Sequence, residues 1–240
     1  SAAEGRDLER AVANQWGWRG PHDAAAFVGW IGVAMLGGFA PWRAHLQVSG
    51  ARGSGKSTLA ELAARALGPM AGLGLLNGAT EAGLRQRLNR TAAALMLDEF
   101  EADQAKGAGL AEILALARRM SGGAGGHVLR GGSDHAAADF TMLGAVALFG
   151  IVLPPMTAAD RSRSVRLDLD PLPRTDPTVA ATRLAALRAS VDELAPRLWA
   201  RALDQAQRYD VTAAAFVGAA RALGADHREA DTLGAVMAGH

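Results

Sequence analysis

The segment 50–57 has the composition and spacing of a loop that binds phosphate groups. It reads Gly-Ala-Arg-Gly-Ser-Gly-Lys-Ser, which fits the pattern G-x-x-x-x-G-K-[ST]. Glycines permit backbone torsions that other residues avoid, so consecutive N–H groups can surround a phosphate closely. In this pattern the lysine reaches the β- and γ-phosphates, and the hydroxyl that follows it binds Mg²⁺. We therefore predict these two roles for Lys56 and Ser57.

The residues on either side of the loop support the same chemistry. An apolar strand predicted at 45–49 precedes the loop, and an amphipathic helix predicted at 56–67 follows it and adds its positive N-terminal end. This context favours a nucleotide site over a glycine-rich turn without a ligand. The expected ligands are ATP, or a related nucleotide, and Mg²⁺. The predicted nucleotide-binding residues are Gly50, Arg52, Gly53, Ser54, Gly55, Lys56, Ser57 and Thr58, of which Arg52 is either a contact or a tolerated substitution.

A pair of acidic residues, Asp98 and Glu99, ends a second apolar strand, predicted at 93–97. Asp98 is expected to hold Mg²⁺ through a water molecule, and Glu99 to polarise the water that attacks the γ-phosphate. Kinases do not need this glutamate because a substrate hydroxyl attacks instead, so the pair favours hydrolysis. The alternative is that both residues only cap the next helix. Glu101 and Asp103 are expected to be solvated acids, although either could lie near the site.

Two arginines, Arg161 and Arg163, stand directly before the last strand of the predicted core, at 164–169. From such a position an arginine can reach a γ-phosphate, and in ring-forming NTPases it is often the phosphate bound by the neighbouring subunit. We predict that one of the two is a catalytic residue that stabilises transition-state charge. The alternative is a surface salt bridge with Asp160.

A glycine-rich segment at 121–135 is predicted to form a hairpin. It contains His127, Arg130 and His135, which are the candidates for contacts with nucleic acid. The alternative is a solvent-exposed loop with ordinary polar residues. The formal net charge of the chain is +1, so any contact with DNA must be local rather than spread over the surface.

The elements that position these residues alternate between short apolar strands and helices. Strands covered on both faces give such continuous apolar runs, which predicts an α/β fold with a parallel sheet, the three-layer sandwich of P-loop NTPases. Helical additions are expected at both ends. The predicted strands are 45–49, 74–76, 93–97, 145–152 and 164–169. The predicted divisions are an N-terminal helical segment 1–44, a core 45–170 and a C-terminal helical region 171–240.

Composition excludes several classes of function. The chain has 240 residues and no cysteine, which excludes disulfides, cysteine-bound zinc and thiol catalysis.

The uncharged run 24–40 is short for a membrane span and contains glycines, so we predict a buried helix. No signal peptide is visible, and we expect a cytoplasmic protein with no membrane segment. The chain begins at Ser1 as if excised from a longer one. The four tryptophans before residue 45 are expected in the core rather than stacked on bases.

The order of these motifs resembles the ATPase domain of primase–helicase proteins carried by phages, prophages and plasmids. That group is similar to the superfamily 3 helicases within the AAA+ class. The resemblance rests on the phosphate loop, Asp98-Glu99, the segment SGG…RGGSDH…F, Pro154-Pro155 and ADRSR, and it also takes in 80–86 and 228–231. It covers roughly 25–170 well and the rest weakly. It implies a hexameric ring that pulls single-stranded DNA while ATP is hydrolysed between subunits. Arg130 would then face the pore, and Arg161 or Arg163 would act in trans. A primase domain could belong to the same full-length chain.

Two features depart from that group. Its fourth strand usually ends in a polar residue that senses the γ-phosphate, whereas 149–152 reads Phe-Gly-Ile-Val. Either a neighbour such as Thr157 substitutes, or hydrolysis is slow or uncoupled. The predicted pore loop also lacks lysine. Despite these departures, the main prediction is a DNA-translocating ATPase. The alternatives are an AAA+ ATPase that remodels or loads a protein partner, and a nucleotide-dependent switch with little turnover.

Overall fold

The computed structural model describes residues 2–72, 75–77, 79–101, 107–123, 128–131, 137–172 and 176–240. The strands are β1 Gly17–Trp18, β2 His45–Gly50, β3 Leu75–Asn77, β4 Leu95–Asp98, β5 Val128–Gly131, β6 Ala137–Phe140, β7 Val146–Gly150 and β8 Ser164–Asp170. The helices are α1 Ala2–Gln15, α2 Asp23–Leu36, α3 Lys56–Leu67, α4 Glu81–Leu88, α5 Gly107–Met120, α6 Ala158–Arg161, α7 Pro177–Ala222 and α8 His227–Gly239.

Six strands form the central sheet in the order β1-β8-β2-β7-β4-β3. The last five of these are parallel to one another, and β1 joins β8 in antiparallel orientation. Because the strands are parallel, their carboxyl ends meet at one edge, where Gly50, Asp98 and Gly150 lie. We call this the carboxyl edge. The opposite amino edge holds the start of each strand, including His45, which is paired with Ser164.

The two faces of the sheet are covered by different helices. Along each strand, alternate side chains point to opposite faces. Met96 and Ala147 belong to the apolar cluster shared with α1, α2, α3 and α7, whereas Leu97 and Leu148 belong to the cluster shared with α4 and α5. The result is the three-layer α/β sandwich that the sequence predicted.

The helices before β2 and after β8 pack on the same side as α3. The uncharged run 24–40 forms most of α2, in which Phe27 and Trp30 are fully buried, so the predicted buried helix is confirmed. A glycine at position 32 lets α8 approach, because a Cβ there would lie 2.1 Å from the Gly239 carbonyl oxygen. Among the described residues, no helix combines the length and apolar character that crossing a bilayer requires. The divisions near residues 44 and 170 stay predictions.

The other predicted elements agree closely with the structure. Helix α3 has the predicted bounds, and Gly68 caps its C-terminus by donating its N–H to the carbonyl oxygens of the last turn. Strand β7 ends at Gly150 rather than at the predicted residue 152. A hairpin is present as β5 and β6, paired from Val128 with Phe140 to Gly131 with Ala137, so its second strand lies beyond the predicted segment 121–135. It follows α5 and leads into β7, so it leaves the sheet at the amino edge.

Candidate nucleotide site

The phosphate loop connects the end of β2 to the start of α3 at the carboxyl edge. Gly53 and Gly55 have φ angles of 82° and 80°, a region that residues with a side chain rarely adopt. Space also excludes a side chain at Gly55, because a Cβ there would lie 2.7 Å from the indole nitrogen of Trp16. Glycine is therefore required at this position for both its backbone conformation and its contacts.

Lys56 lies over the loop at the first position of α3. Its Nζ donates hydrogen bonds to the carbonyl oxygens of Gly50 at 2.6 Å and Ala51 at 3.0 Å. Burial lowers the pKa of Lys56, while the negative charges of Asp98 and Glu101 act in the opposite direction. The ammonium group is thus held at the loop with two carboxylates in its vicinity.

Two residues from outside the loop hold its backbone. The indole N–H of Trp16 donates to the carbonyl oxygen of Gly55 at 3.0 Å, and the N–H of Leu172 donates to Gly53 at 3.3 Å. Trp16 is 5 % exposed and belongs to the main apolar cluster, as predicted for the core. Its hydrogen bond to the loop was not predicted, because nothing in the local sequence connects residues 39 positions apart.

The acidic pair lies at the end of β4, two strands from β2 in the sheet. Asp98 is 7 % exposed, and its carboxylate accepts a hydrogen bond from the N–H of Glu99 at 3.0 Å. Glu99 is exposed and has a φ of 53°, which is uncommon for a residue other than glycine. Strained backbone of this kind is concentrated at functional sites, where the surrounding structure must maintain it.

The loop and the acidic pair line one cavity of about 1040 Å³. This volume is sufficient for a nucleoside triphosphate together with water. Its polar lining consists of Arg52, Lys56, Ser57, Thr58, Thr80, Glu81, Asp98, Glu99, Glu101 and Glu112.

The residues present suit a complex of Mg²⁺ with a nucleotide. The Ser57 hydroxyl and the Asp98 carboxylate line the same cavity, and oxygen ligands of these types are what Mg²⁺ prefers. Ser54, which was predicted to contact the nucleotide, is fully buried. Its N–H donates to the carbonyl oxygen of Ala51 at 3.2 Å, so it contributes to the shape of the loop.

Arg161 and Arg163 lie at the amino edge, away from the cavity. Arg163 precedes Ser164, which pairs with His45, and the loop begins five residues further along β2. At about 3.3 Å per residue, this places the arginines about 16 Å from the phosphate loop. Neither guanidinium is therefore near the nucleotide site of its own chain.

The two arginines differ in their surroundings. Arg161 is exposed, and its guanidinium donates to the carbonyl oxygen of Met156 at 2.5 Å. Arg163 is half-buried; it donates to the carbonyl oxygen of Ala159 at 2.7 Å and lies over the ring of Trp42 at 5.8 Å. Burial, together with the positive charges of Arg228 and Arg118, lowers the pKa of Arg163.

Two alternatives that the sequence analysis left open for this region are wrong. The carboxylate of Asp160 forms its ion pair with Arg118 at 3.2 Å, so the proposed salt bridge with Arg161 or Arg163 is replaced by another one. Thr157 is the N-cap of α6, where its hydroxyl donates to Asp160 at 2.6 Å. Because α6 directly precedes the start of β8, Thr157 lies at the amino edge and cannot substitute as the γ-phosphate sensor.

The candidate nucleic-acid contacts are only partly within the described structure. Arg130 lies in β5 opposite Ala138, and its side chain is outside the described part. His127 and His135 also lie outside the described residues. Their contact with nucleic acid stays a prediction.

Glu81 and Glu101 line the cavity, although the sequence did not identify them as site residues. Glu81 is 4 % exposed and forms ion pairs with Arg85 at 3.1 Å and Arg119 at 3.6 Å. It directly follows Thr80, the N-cap of α4. Glu101 was expected to be a solvated acid that could lie near the site, and the structure places it in the cavity beside the end of β7.

Comparison with known proteins gives matches only among solved structures. No family model matches the chain, and no curated protein matches it. A structure described as the active helicase SCCmec type IV Cch has a TM-score of 0.59 at 13% sequence identity, covering 100% of this chain and 46% of that one. This chain therefore spans less than half of that helicase.

Two further solved structures are similar at a lower level. The NrS-1 C-terminal region has a TM-score of 0.47 at 12% identity, with 80% of this chain and 45% of that chain covered. The JCV helicase has a TM-score of 0.41 at 15% identity, with 94% and 77% covered. At such identities the SCCmec match shows a shared fold, and it confirms the predicted fold class.

Proposed function

We propose that this chain is the ATP-hydrolysing motor domain of a DNA helicase or translocase, of the type found in primase–helicase proteins of mobile elements. The observation that carries the proposal is the cavity at the carboxyl edge. Lys56 and Ser57 from the phosphate loop face the same space as Asp98 and Glu99 from β4. The fold shared with a solved helicase supports the same conclusion.

The residues of the cavity have different roles in hydrolysis. The loop N–H groups bind the β-phosphate, and Lys56 exchanges its hydrogen bonds to loop carbonyls for contacts with the β- and γ-phosphates. Ser57 and Asp98 would hold Mg²⁺, which neutralises phosphate charge when bound. Glu99 accepts a hydrogen bond from a water molecule and orients it toward the γ-phosphorus. The oxygen of that water bonds to phosphorus as the bond to the ADP oxygen breaks, and its proton passes to Glu99 or to the released phosphate.

Arg161 is the better candidate for an arginine acting in trans. It is exposed at the amino edge, whereas Arg163 is half-buried against Trp42. An arginine whose backbone lies about 16 Å from its own phosphate loop, by the strand spacing, would assist hydrolysis at a neighbouring subunit. This requirement supports a ring, with a hexamer as the expected form.

The hairpin of β5 and β6 is the proposed contact with single-stranded DNA. It leaves the sheet at the amino edge and contains Arg130 in its first strand; in the sequence, His127 directly precedes that strand and His135 stands between the two strands. Such contacts would be local, in agreement with the small net charge of the chain.

A nucleotide-dependent switch with little turnover is the second candidate. The observation that favours it is the end of β7, where Gly150 and Ile151 line the cavity without a polar side chain. A site that binds ATP without sensing its γ-phosphate through this strand would hydrolyse it slowly.

The test is ATP hydrolysis by the purified protein with and without single-stranded DNA, with Glu99→Gln as the control. We expect DNA to stimulate turnover several-fold, and the variant to lose roughly 100-fold or more of that turnover. Turnover that is indifferent to DNA would refute the translocase and favour action on a protein partner. Tight ATP binding without turnover would favour the switch.

A further inference from the structure

The end of β7 presents a backbone group to the cavity rather than a side chain. Residues Gly150 and Ile151 line the cavity, and no residue from 149 to 152 has a polar side chain. The polar group available there is the N–H of Ile151. It donates a hydrogen bond to the Glu101 carboxylate at 3.1 Å.

Glu101 is held at this place by the backbone next to it. The N–H of Phe100 donates to the carbonyl oxygen of Phe149 at 2.8 Å, which joins the segment after β4 to the end of β7. Phe100 is 4 % exposed, so the joint is anchored in the core. The backbone at Glu101 is therefore held next to the end of β7, within reach of the Ile151 N–H.

Glu101 is also electrostatically close to Lys56. Its negative charge acts on the ammonium group in the direction that stabilises the charged form, against the effect of burial. The carboxylate thus interacts with two groups, the Lys56 ammonium and the Ile151 N–H. A γ-phosphate bound in the cavity would interact with the same two groups, because it is anionic and the lysine of this loop type binds it.

We propose that Glu101 is a positioning residue that makes the site distinguish ATP from ADP. The terminal phosphate of ATP and the Glu101 carboxylate compete for the Ile151 N–H and for the field of Lys56. ATP binding therefore displaces the carboxylate, whereas ADP, which lacks the third phosphate, leaves it bonded to Ile151. Displacement of Glu101 breaks its hydrogen bond to the end of β7, so this residue has the role that a polar side chain at the end of β7 would otherwise have. The inference rests on the proposed ATP site.

The experiment compares Glu101→Gln with Glu112→Gln in the complete 240-residue chain. Both residues line the cavity, but Glu112 is exposed on α5, where solvent screens its charge. The quantity measured is the dissociation constant for a non-hydrolysable ATP analogue and for ADP, each with Mg²⁺. Glutamine keeps an oxygen that can accept from Ile151 and removes only the charge.

We expect Glu101→Gln to raise the affinity for the ATP analogue relative to ADP by roughly fivefold to tenfold, the effect of removing one negative charge several ångströms from the γ-phosphate. Glu112→Gln should change that ratio by less than about twofold, because its charge is screened. A purely structural role of Glu101 would weaken both nucleotides equally, so an unchanged ratio would overturn the inference. Failure of the unmodified protein to bind either nucleotide would instead refute the proposed function itself.

Discussion

The two edges of the parallel sheet differ in whether residues of one chain come together to form a site. At the carboxyl edge, Lys56, Asp98 and Glu99 line one cavity, and the backbone of the loop is held by Trp16. At the amino edge, Arg161 is exposed and far from that cavity. Under the proposed function, one chain supplies the nucleotide-binding residues, whereas Arg161 would act on the nucleotide of a neighbouring subunit.

The topology of the sheet explains this division. Parallel strands bring their carboxyl ends to one edge, so residues that follow different strands converge there. Each connection then returns the chain to the amino edge before the next strand begins. The hairpin and Arg161 both lie on such returning segments, the first before β7 and the second before β8.

The sharpest test of the comparison is alanine substitution of each arginine. Arg161→Ala should lower the rate of ATP hydrolysis by roughly 1,000-fold and leave nucleotide affinity and melting temperature unchanged, because the lost charge acts only in the transition state. Arg163→Ala should mainly lower the melting temperature, because it removes the packing against Trp42. Steady-state kinetics and thermal unfolding separate the two effects.

Mixing Arg161→Ala with Glu99→Gln tests whether the arginine acts in trans. Some interfaces of a mixed ring would combine an intact Arg161 from one subunit with an intact Glu99 from its neighbour. Partial recovery of turnover is therefore expected, although each variant alone is inactive. No recovery in rings shown to contain both variants would contradict action between subunits.

The stability of the fold should also depend on pH through His45, which lies at the amino edge. This residue is buried at the start of β2, where Nε2 bonds to the carbonyl oxygen of Ala117 at 2.6 Å and Nδ1 accepts from the N–H of Val146 at 3.1 Å. Both bonds fit the neutral ring, in which Nε2 carries the proton. Burial lowers the pKa of His45 to about 4 from 6.5.

Because the pKa is lowered in the folded state, the unfolded chain binds a proton at His45 at a higher pH than the folded chain does. The free energy of unfolding should therefore fall as the pH drops from 6.5 towards 4, with a contribution of about 3 kcal/mol from this residue. Urea unfolding of the unmodified chain and of His45→Gln at pH 7 and pH 4.5 measures it. The variant should be less stable at pH 7 and lose less stability on acidification, and equal losses would show that His45 is not responsible.

The smallest expected effect concerns the support of the phosphate loop by Trp16. Trp16→Phe keeps an aromatic ring in the core and removes the hydrogen bond to Gly55, so ATP affinity should fall about threefold, the value of one ordinary hydrogen bond. Trp18→Phe is the matched control, because its indole N–H donates to Val12 in α1 instead. Equal effects of both substitutions on the dissociation constant would assign them to general packing.

The sequence by itself determined the features that depend on local pattern. The glycines of the phosphate loop follow from backbone torsion, the bounds of α3 from its amphipathic pattern, and the strands from their continuous apolar runs. Asp98 and Glu99 were predicted to end a buried strand, and β4 ends at Asp98. These local signals were enough to predict the α/β sandwich.

Only the tertiary structure decided which distant residues meet. Trp16 and Gly55 are 39 positions apart, and Glu101 and Ile151 are 50 apart, so no local pattern indicates either hydrogen bond. The side of the sheet on which Arg161 lies depends on strand register and on the path of the chain after β7. Such contacts depend on how the helices pack on the two faces of the sheet. Burial of apolar residues in the core drives that packing, and a residue's neighbours in sequence do not indicate it.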